Sequence, residues 1–219
     1  MFHREISHAV SDALKEFKPH QKLSILDLGC GDASMILPML TPSRVNNYVG
    51  CDLSQPALDI ARQALGTNEI THQLICDDML RVATEQKDAS LDLVFSSYAL
   101  HHLNAPRKEE IIEEIARILV PGGRFVLVDI FREPTEDHAH YMRHYMGKVK
   151  DSWSKLDAES QTLVINHATE YDFPEHLTFY QNICNAKGLN TGKVLTEHTW
   201  HKASIFEKIC VATLVSALT

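Results

Sequence analysis

The apolar residues of this chain switch repeatedly between two spacings. Over residues 2 to 17, Phe2, Ile6, Ala9, Val10, Ala13, Leu14 and Phe17 recur every three or four positions, which predicts an amphipathic helix stopped by Pro19. Leu23–Leu28 reads as a short, largely apolar strand running into Gly29-Cys30-Gly31, and a helix is expected over about residues 33 to 41. Tyr48–Asp52 is a second strand. Ser54 follows as an N-cap, Pro56 fits the first helical turn and Gly66 fits a helix stop. His72–Asp77 and Leu91–Ser97 are the third and fourth strands. Pro106–Leu119 carries Ile111, Ile112, Ile115, Ile118 and Leu119 on one helical face. Pro121-Gly122-Gly123 then turns the chain into a fifth strand, Phe125–Ile130.

Strands alternating with helices imply right-handed crossovers and parallel pairing. Residues 133 to 172 break this rhythm: they are polar, rich in His, Tyr, Glu and Asp, and helical in pattern. Met142, Tyr145, Met146, Val149 and Trp153 share a stripe, and Asp157 can cap a second helix over about 158 to 170. Beyond them Pro174 opens a helix that Gly188 stops, and the chain to about Cys210 suits two antiparallel closing strands. The expected fold is therefore α/β: a doubly wound, mostly parallel seven-stranded sheet with helices on both faces and an inserted helical cap. Residues 1–132 and 173–219 form the core, and residues 133–172 form the cap within the same domain.

Composition narrows the function. The 219 residues suit one domain, and 44% apolar with 23% charged residues is ordinary for a packed one. The formal net charge of -8 repels phosphate backbones, so no nucleic-acid partner is expected. No apolar run approaches the roughly 20 residues that span a bilayer, and the N-terminus lacks the pattern of a signal peptide. The five cysteines are scattered without a CxxC pair, as in a reduced, cytoplasmic protein. A monomer or homodimer is expected.

Candidate chemistry falls at the C-terminal ends of strands, where such sheets bind ligands. Gly29 and Gly31 let a ligand lie against backbone. Ser34 stands where a dinucleotide fingerprint needs its third glycine, which weakens a nicotinamide-dependent oxidoreductase as the alternative. Asp27, just before the turn, suits a cationic ammonium group. Asp52 can accept from ribose hydroxyls. In Asp77-Asp78-Met79, a carboxylate can accept from an adenine amino group. Ser96 and Ser97 end the fourth strand, beside Tyr98 and His101.

Together these segments resemble the class I S-adenosylmethionine-dependent methyltransferases of the broad small-molecule group. The likeness is carried by LDLGCGDA (26–33), CDLS (51–54), CDDML (76–80), LDLVFSSYALHHL (91–103) and LVPGGRFVLVD (119–129). It implies that Asp27, Gly29 and Gly31 hold the methionyl end of S-adenosylmethionine. It also implies that Asp52 holds the ribose and that Asp77, Asp78 and Met79 surround adenine; Cys30, Leu53, Ser96 and Ser97 are further cofactor-binding candidates. S-adenosylhomocysteine would be the product. The acceptor is expected to be a small molecule methylated at nitrogen or oxygen rather than carbon, with a protein acceptor or a non-catalytic adenosyl-ligand regulator as alternatives. His101, Tyr98, Asp129 and His144 are the catalytic candidates, since a hydroxyl or ammonium acceptor must lose a proton. His138, His140 and His144 have metal-like spacing, but no metal site is expected from them.

Overall fold

The computed structural model describes residues 2–18, 20–152 and 157–210. Alternation inside the strands sorts their side chains to two faces, and each face is covered by helices. Leu26, Leu28, Phe125 and Leu127 pack on one face and Leu23, Ile25, Val126 and Val128 on the other. The strands are β1 (Leu23–Leu28), β2 (Val45–Asp52), β3 (His72–Cys76), β4 (Leu91–Ser97), β5 (Leu119–Ile130), β6 (Lys193–His198) and β7 (His201–Glu207). They form one seven-stranded sheet in the order β3-β2-β1-β4-β5-β7-β6. The pairs from β3 through β5 are parallel, while β7 runs antiparallel to both β5 and β6, as the closing strands were expected to do.

The first face is covered by α3 (Met79–Thr84), α4 (Ala105–Ile118) and α7 (Leu177–Ala186) through Val82, Ile111, Ile112, Ile115, Tyr180 and Cys184. The second is covered by α1 (Phe2–Lys15) and α2 (Gln55–Thr67) through Ile6, Val10, Leu14, Ala61 and Leu65. From β1 the chain winds outward through β2 to β3, then returns to lay β4 on the other side of β1. The crevice above β1 and β4 is the switch point at which open α/β sheets take ligands.

Several local expectations change. The helix over 33 to 41 is absent: Leu37–Met39 and Pro42–Arg44 form separate 3-10 turns. Pro38 and Pro42 supply no N–H for an α-helical ladder, and Ala33 sits at φ +61°, outside the helical region. Gly66 lies inside α2, which Asn68 caps, and α7 starts at Leu177 rather than at Pro174. Pro121-Gly122-Gly123 is absorbed into the long β5, with a register shift opposite Leu91 and Leu93. The six-residue α3 is too short to show a helical period in sequence.

The inserted segment is helical, with α5 (His138–Ser152) and α6 (Ala158–Tyr171), the latter capped by Asp157 accepting from the Ser160 N–H at 2.8 Å. Met146 and Tyr141 are buried, and Tyr141 packs with Ile130 and Trp200. The Val149 side chain and Trp153 lie outside the described residues. The segment is tied to the β6–β7 hairpin at its start: Lys202 Nζ reaches Glu133 at 2.8 Å, and Trp200 Nε1 donates to Glu136 at 2.8 Å. No helix among the described residues is long and apolar enough to cross a membrane.

Candidate active site

Two adjoining cavities open at the C-terminal ends of β1, β2 and β4, sharing Gly29, Asp52 and Tyr98 in their walls. The smaller, of about 270 Å³, is lined by Asp27, Gly31, Asp32, Ser97 and Tyr98, among others. The larger, of about 460 Å³, runs past Leu53, Asp77, Asp78, Met79, His102, Arg107 and Tyr171.

The β1 turn is shaped by two different needs. Gly29 has φ +70°, and a Cβ there would lie 2.3 Å from Ala99 Cβ, so the β1 and β4 turns can meet only through glycine. Gly31 also has positive φ, but a Cβ there would meet nothing within 4 Å, which leaves its approach open to a ligand. Its N–H donates to Asp52 at 2.9 Å, and the other Asp52 oxygen accepts from the Ser54 N–H at 2.8 Å. Asp52 is thus fixed by backbone at the junction of both cavities, with a lone pair to spare on each oxygen.

Asp27 is buried. Tyr48 donates its hydroxyl to Oδ2 at 2.7 Å, while Oδ1 has no hydrogen-bond partner among the described residues. Burial pushes its carboxyl up to about 7, against the Tyr48 hydrogen bond and helped by the nearby Asp52 charge. Ser97 Oγ, in the wall of the same cavity, is likewise buried without a partner among the described residues. An ammonium group would supply what Asp27 Oδ1 lacks, so this chamber fits the polar end of an aminoacyl ligand.

The remaining expected cofactor residues divide. Cys30, Leu53 and Met79 line the cavities. Asp78 is the N-cap of α3, accepting from the Leu80 and Arg81 N–H groups and from Arg107 Nη2 at 2.7 Å, and Asp77 pairs with Arg81 at 3.2 Å. Both carboxylates line the larger cavity with these partners already in place. Ser96 does not reach either cavity: it is buried and its hydroxyl donates to the Leu28 carbonyl at 3.0 Å.

The catalytic candidates are placed quite differently from one another. Tyr98 has φ +52°, strained for a tyrosine, and stands in the wall between the two cavities. Burial raises its hydroxyl above the usual phenol value. His101 is buried behind that wall. Its Nδ1 lies 2.5 Å from Asp129 Oδ1, and its N–H donates to Asp129 Oδ2 at 3.0 Å. Asp129 is completely buried, because β5 lies inside the sheet between β4 and β7. His144 faces away from the cavities on the exposed side of α5, 3.1 Å from Glu136. The other two histidines of the 138–144 run diverge as well: His138 meets the Asp172 carbonyl and His140 pairs with Asp137.

The imidazole that does border the larger cavity is His102, with Nδ1 3.1 Å from Asp172 Oδ1. The neighbouring Asp172 carboxylate raises His102 above the usual imidazole value. On the tight turn Leu100–His102, adjacent residues diverge by about 120°, so of two neighbouring histidines one turns inward and the other to the cavity. Asp172 comes from the end of α6, in a strap whose five successive carbonyls each face a nitrogen. Tyr171 O faces His102 Nδ1 (3.3 Å), Asp172 O faces His138 Nε2 (3.1 Å), and Phe173 O faces the buried Lys108 Nζ. Pro174 O and Glu175 O accept from Arg132 Nε (2.8 Å) and the Arg132 N–H (3.1 Å). Burial lowers Lys108 to about 8.

Residues 25–123 match a family model described as "Methyltransferase domain". Over 154 residues the chain is 27% identical to carboxy-S-adenosyl-L-methionine synthase of Actinobacillus succinogenes, covering 68% of this chain and 62% of that protein. It is 33% identical over 115 residues to a tRNA (carboxymethyluridine(34)-5-O)-methyltransferase of Arabidopsis thaliana, covering 52% of this chain and 25% of that one. The chain therefore spans less than two thirds of the length of either curated relative. Among solved structures, magnesium protoporphyrin IX methyltransferase of Synechocystis, crystallised with S-adenosylmethionine, superposes at a TM-score of 0.60. The identity is 14%, over 94% of this chain and 79% of that one.

Proposed function

We propose that this chain is a class I S-adenosylmethionine-dependent methyltransferase, in keeping with the methyltransferase-domain match over residues 25–123, and that it methylates a small-molecule acceptor at nitrogen or oxygen by direct in-line displacement. The observation that carries the reading is the buried, half-satisfied Asp27 carboxylate facing a cavity that adjoins Asp52 and the glycine turn. When bound, the cofactor supplies a methyl group already activated by its sulfonium. Asp27 holds the ammonium of the methionyl end against the open backbone of Gly31. Asp52, itself held by two backbone N–H groups, receives the ribose hydroxyls. Leu53 and Met79 flank the adenine, with Asp77 and Asp78 at its edge. Tyr98, on strained backbone, stands between the chamber of the methionyl end and the larger cavity, and the acceptor is held in the larger cavity beside His102 and Tyr171.

Residues 133 to 172 act as the cap of that space. Its last residues, Tyr171 and Asp172, border the larger cavity or hold a residue that does. A cap excludes water from the transfer and holds the acceptor in line. A small acceptor suits a space of this size under such a cap, and a polyanion is opposed by the net charge of -8 and by Asp52, Asp77 and Asp78 around the cavity.

Two measurements test this. Calorimetric titration should give binding of S-adenosylhomocysteine and none of NAD; the reverse result removes the cofactor assignment. Conversion of S-adenosylmethionine to S-adenosylhomocysteine should then depend on added small amines or hydroxyl compounds. Turnover on tRNA or protein with none on small acceptors would overturn the acceptor class.

A further inference from the structure

Behind the cavity wall, four ionisable groups form a line: Asp129, His101, Asp172 and His102. Their arrangement is unusual for hydrogen bonding alone. Asp129 Oδ1 lies 2.5 Å from His101 Nδ1, so that nitrogen carries the proton and Nε2 of a neutral ring carries a lone pair. Nε2 then faces Asp172 Oδ1 at 3.7 Å, one acceptor opposite another, with both side chains more than nine-tenths buried. The same oxygen faces His102 Nδ1 at 3.1 Å. The three atoms lie within 4.8 Å of one another.

We infer that His101 Nε2, His102 Nδ1 and Asp172 Oδ1 form a binding site for a divalent cation of the zinc class. A tetrahedral ion bound at about 2.1 Å requires its ligand atoms to stand about 3.4 Å apart. The two distances from Asp172 Oδ1, 3.1 and 3.7 Å, bracket that edge. The first is within hydrogen-bonding distance and the second is beyond it, yet Asp172 Oδ1 is buried and makes no hydrogen bond among the described residues. The Asp129–His101 contact is the outer-shell arrangement that fixes the tautomer and raises the basicity of a metal-bound imidazole. Imidazole nitrogens with one carboxylate oxygen suit zinc better than magnesium or calcium, which prefer oxygen ligands. Three protein ligands leave a fourth position, and His102 borders the larger cavity, so that position is reachable from the acceptor side. There a metal would polarise a hydroxyl and ease loss of its proton to solvent. This last role rests on the proposed methyl transfer. The metal site itself does not, and it is read without turnover.

The test is zinc content and affinity in the full chain. After equilibration with zinc and dialysis, the protein should retain one ion. Cobalt should give the intense visible absorption of a tetrahedral centre, and X-ray absorption of the zinc form should show two imidazole ligands. Asp172→Asn, which preserves shape, should weaken zinc by at least tenfold, and Asp129→Asn by about ten- to a hundredfold. A chain carrying His140→Ala and His144→Ala together, whose ion pairs among the described residues are with Asp137 and Glu136, should hold zinc as the wild type does. Wild-type protein that retains no zinc, or an Asp172→Asn variant that binds it unchanged, overturns the site and leaves the four groups as a proton-sharing line. If a buried substitution prevents folding, X-ray absorption on the wild type still decides. A failed metal test with intact S-adenosylhomocysteine binding removes this site alone, and the converse removes the methyltransferase reading alone.

Discussion

The two halves of the candidate site are built in opposite ways. On the cofactor side, each cavity-lining group sits within a few residues of a strand end, and much of the work is done by backbone: the Gly29 and Gly31 turn, and the two N–H groups that hold Asp52. On the acceptor side, the groups are side chains brought together across the chain, such as His102 and Asp172, seventy positions apart. A backbone-built half tolerates little substitution at a few places. The side-chain-built half can be varied residue by residue while the sheet stays intact, as expected where one fold serves many acceptors.

The comparison is sharpened most by Gly29→Ala. The added methyl meets Ala99 at 2.3 Å on a left-handed backbone. Stability should fall by at least about 2 kcal/mol, and affinity for S-adenosylhomocysteine should drop more than a hundredfold in the fraction that folds. Thermal unfolding and calorimetry check both; an unchanged affinity would mean the turn is not the cofactor's floor.

Next comes Asp52→Ala, which removes a charged acceptor and frees two backbone N–H groups. Binding should weaken about ten- to a hundredfold. Asp59→Ala, on the exposed face of α2 and paired only with Gln55 and Arg62 among the described residues, should change it less than about twofold. Equal effects would sink the ribose assignment.

A pH effect should follow at Asp27. Its carboxyl is raised from 3.8 to about 7 in the ligand-free chain, whereas an ammonium ligand requires the charged form. Affinity for S-adenosylhomocysteine should therefore fall about tenfold between pH 8 and pH 6, and Asp27→Asn should flatten that profile. The folded carboxyl holds its proton where the unfolded one has lost it, so the ligand-free protein loses stability from Asp27 as pH rises from about 4 to about 7. Bound ligand should offset that loss, giving a larger rise in melting temperature at pH 8 than at pH 6.

The smallest effect belongs to His144→Ala. The side chain is 62% exposed and its partner Glu136 keeps Trp200. Activity should stay within about twofold and stability within about 0.5 kcal/mol. A loss of activity greater than tenfold would mean that α5 swings over the cavity.

This asymmetry also governs what the sequence reveals. The alternation of strands and helices, the glycine turn, Asp27 and Asp52 are legible because each depends on local spacing: strand period, turn chemistry and an acid at a strand end. His102 is hidden because the His101-His102 pair gives no phase for the turn on which it lies. The complete burial of Asp129 is hidden because nothing in β5 itself says that β7 will pair alongside it. The absent helix over 33 to 41 was marked by Pro38 and Pro42, whose missing donors outweigh the apolar spacing around them.

The strap from Tyr171 to Glu175 has a consequence for how such a protein can diverge. Its carbonyls are fastened to side chains or backbone from α4, α5, the turn after β4 and the end of β5. Asp172, though it follows the inserted helices, therefore belongs mechanically to the sheet. A recombination crossover placed after about residue 137 and before Tyr171 would exchange α5 and α6, the proposed cap, for helices of another shape. Of the contacts that fasten the strap, only the one from His138 would have to be supplied again, and the partner of His102 is carried over unchanged. An exchanged segment that included Asp172 would divide that pair between parents. The viable seam in a library of chimaeras should therefore end at residue 170.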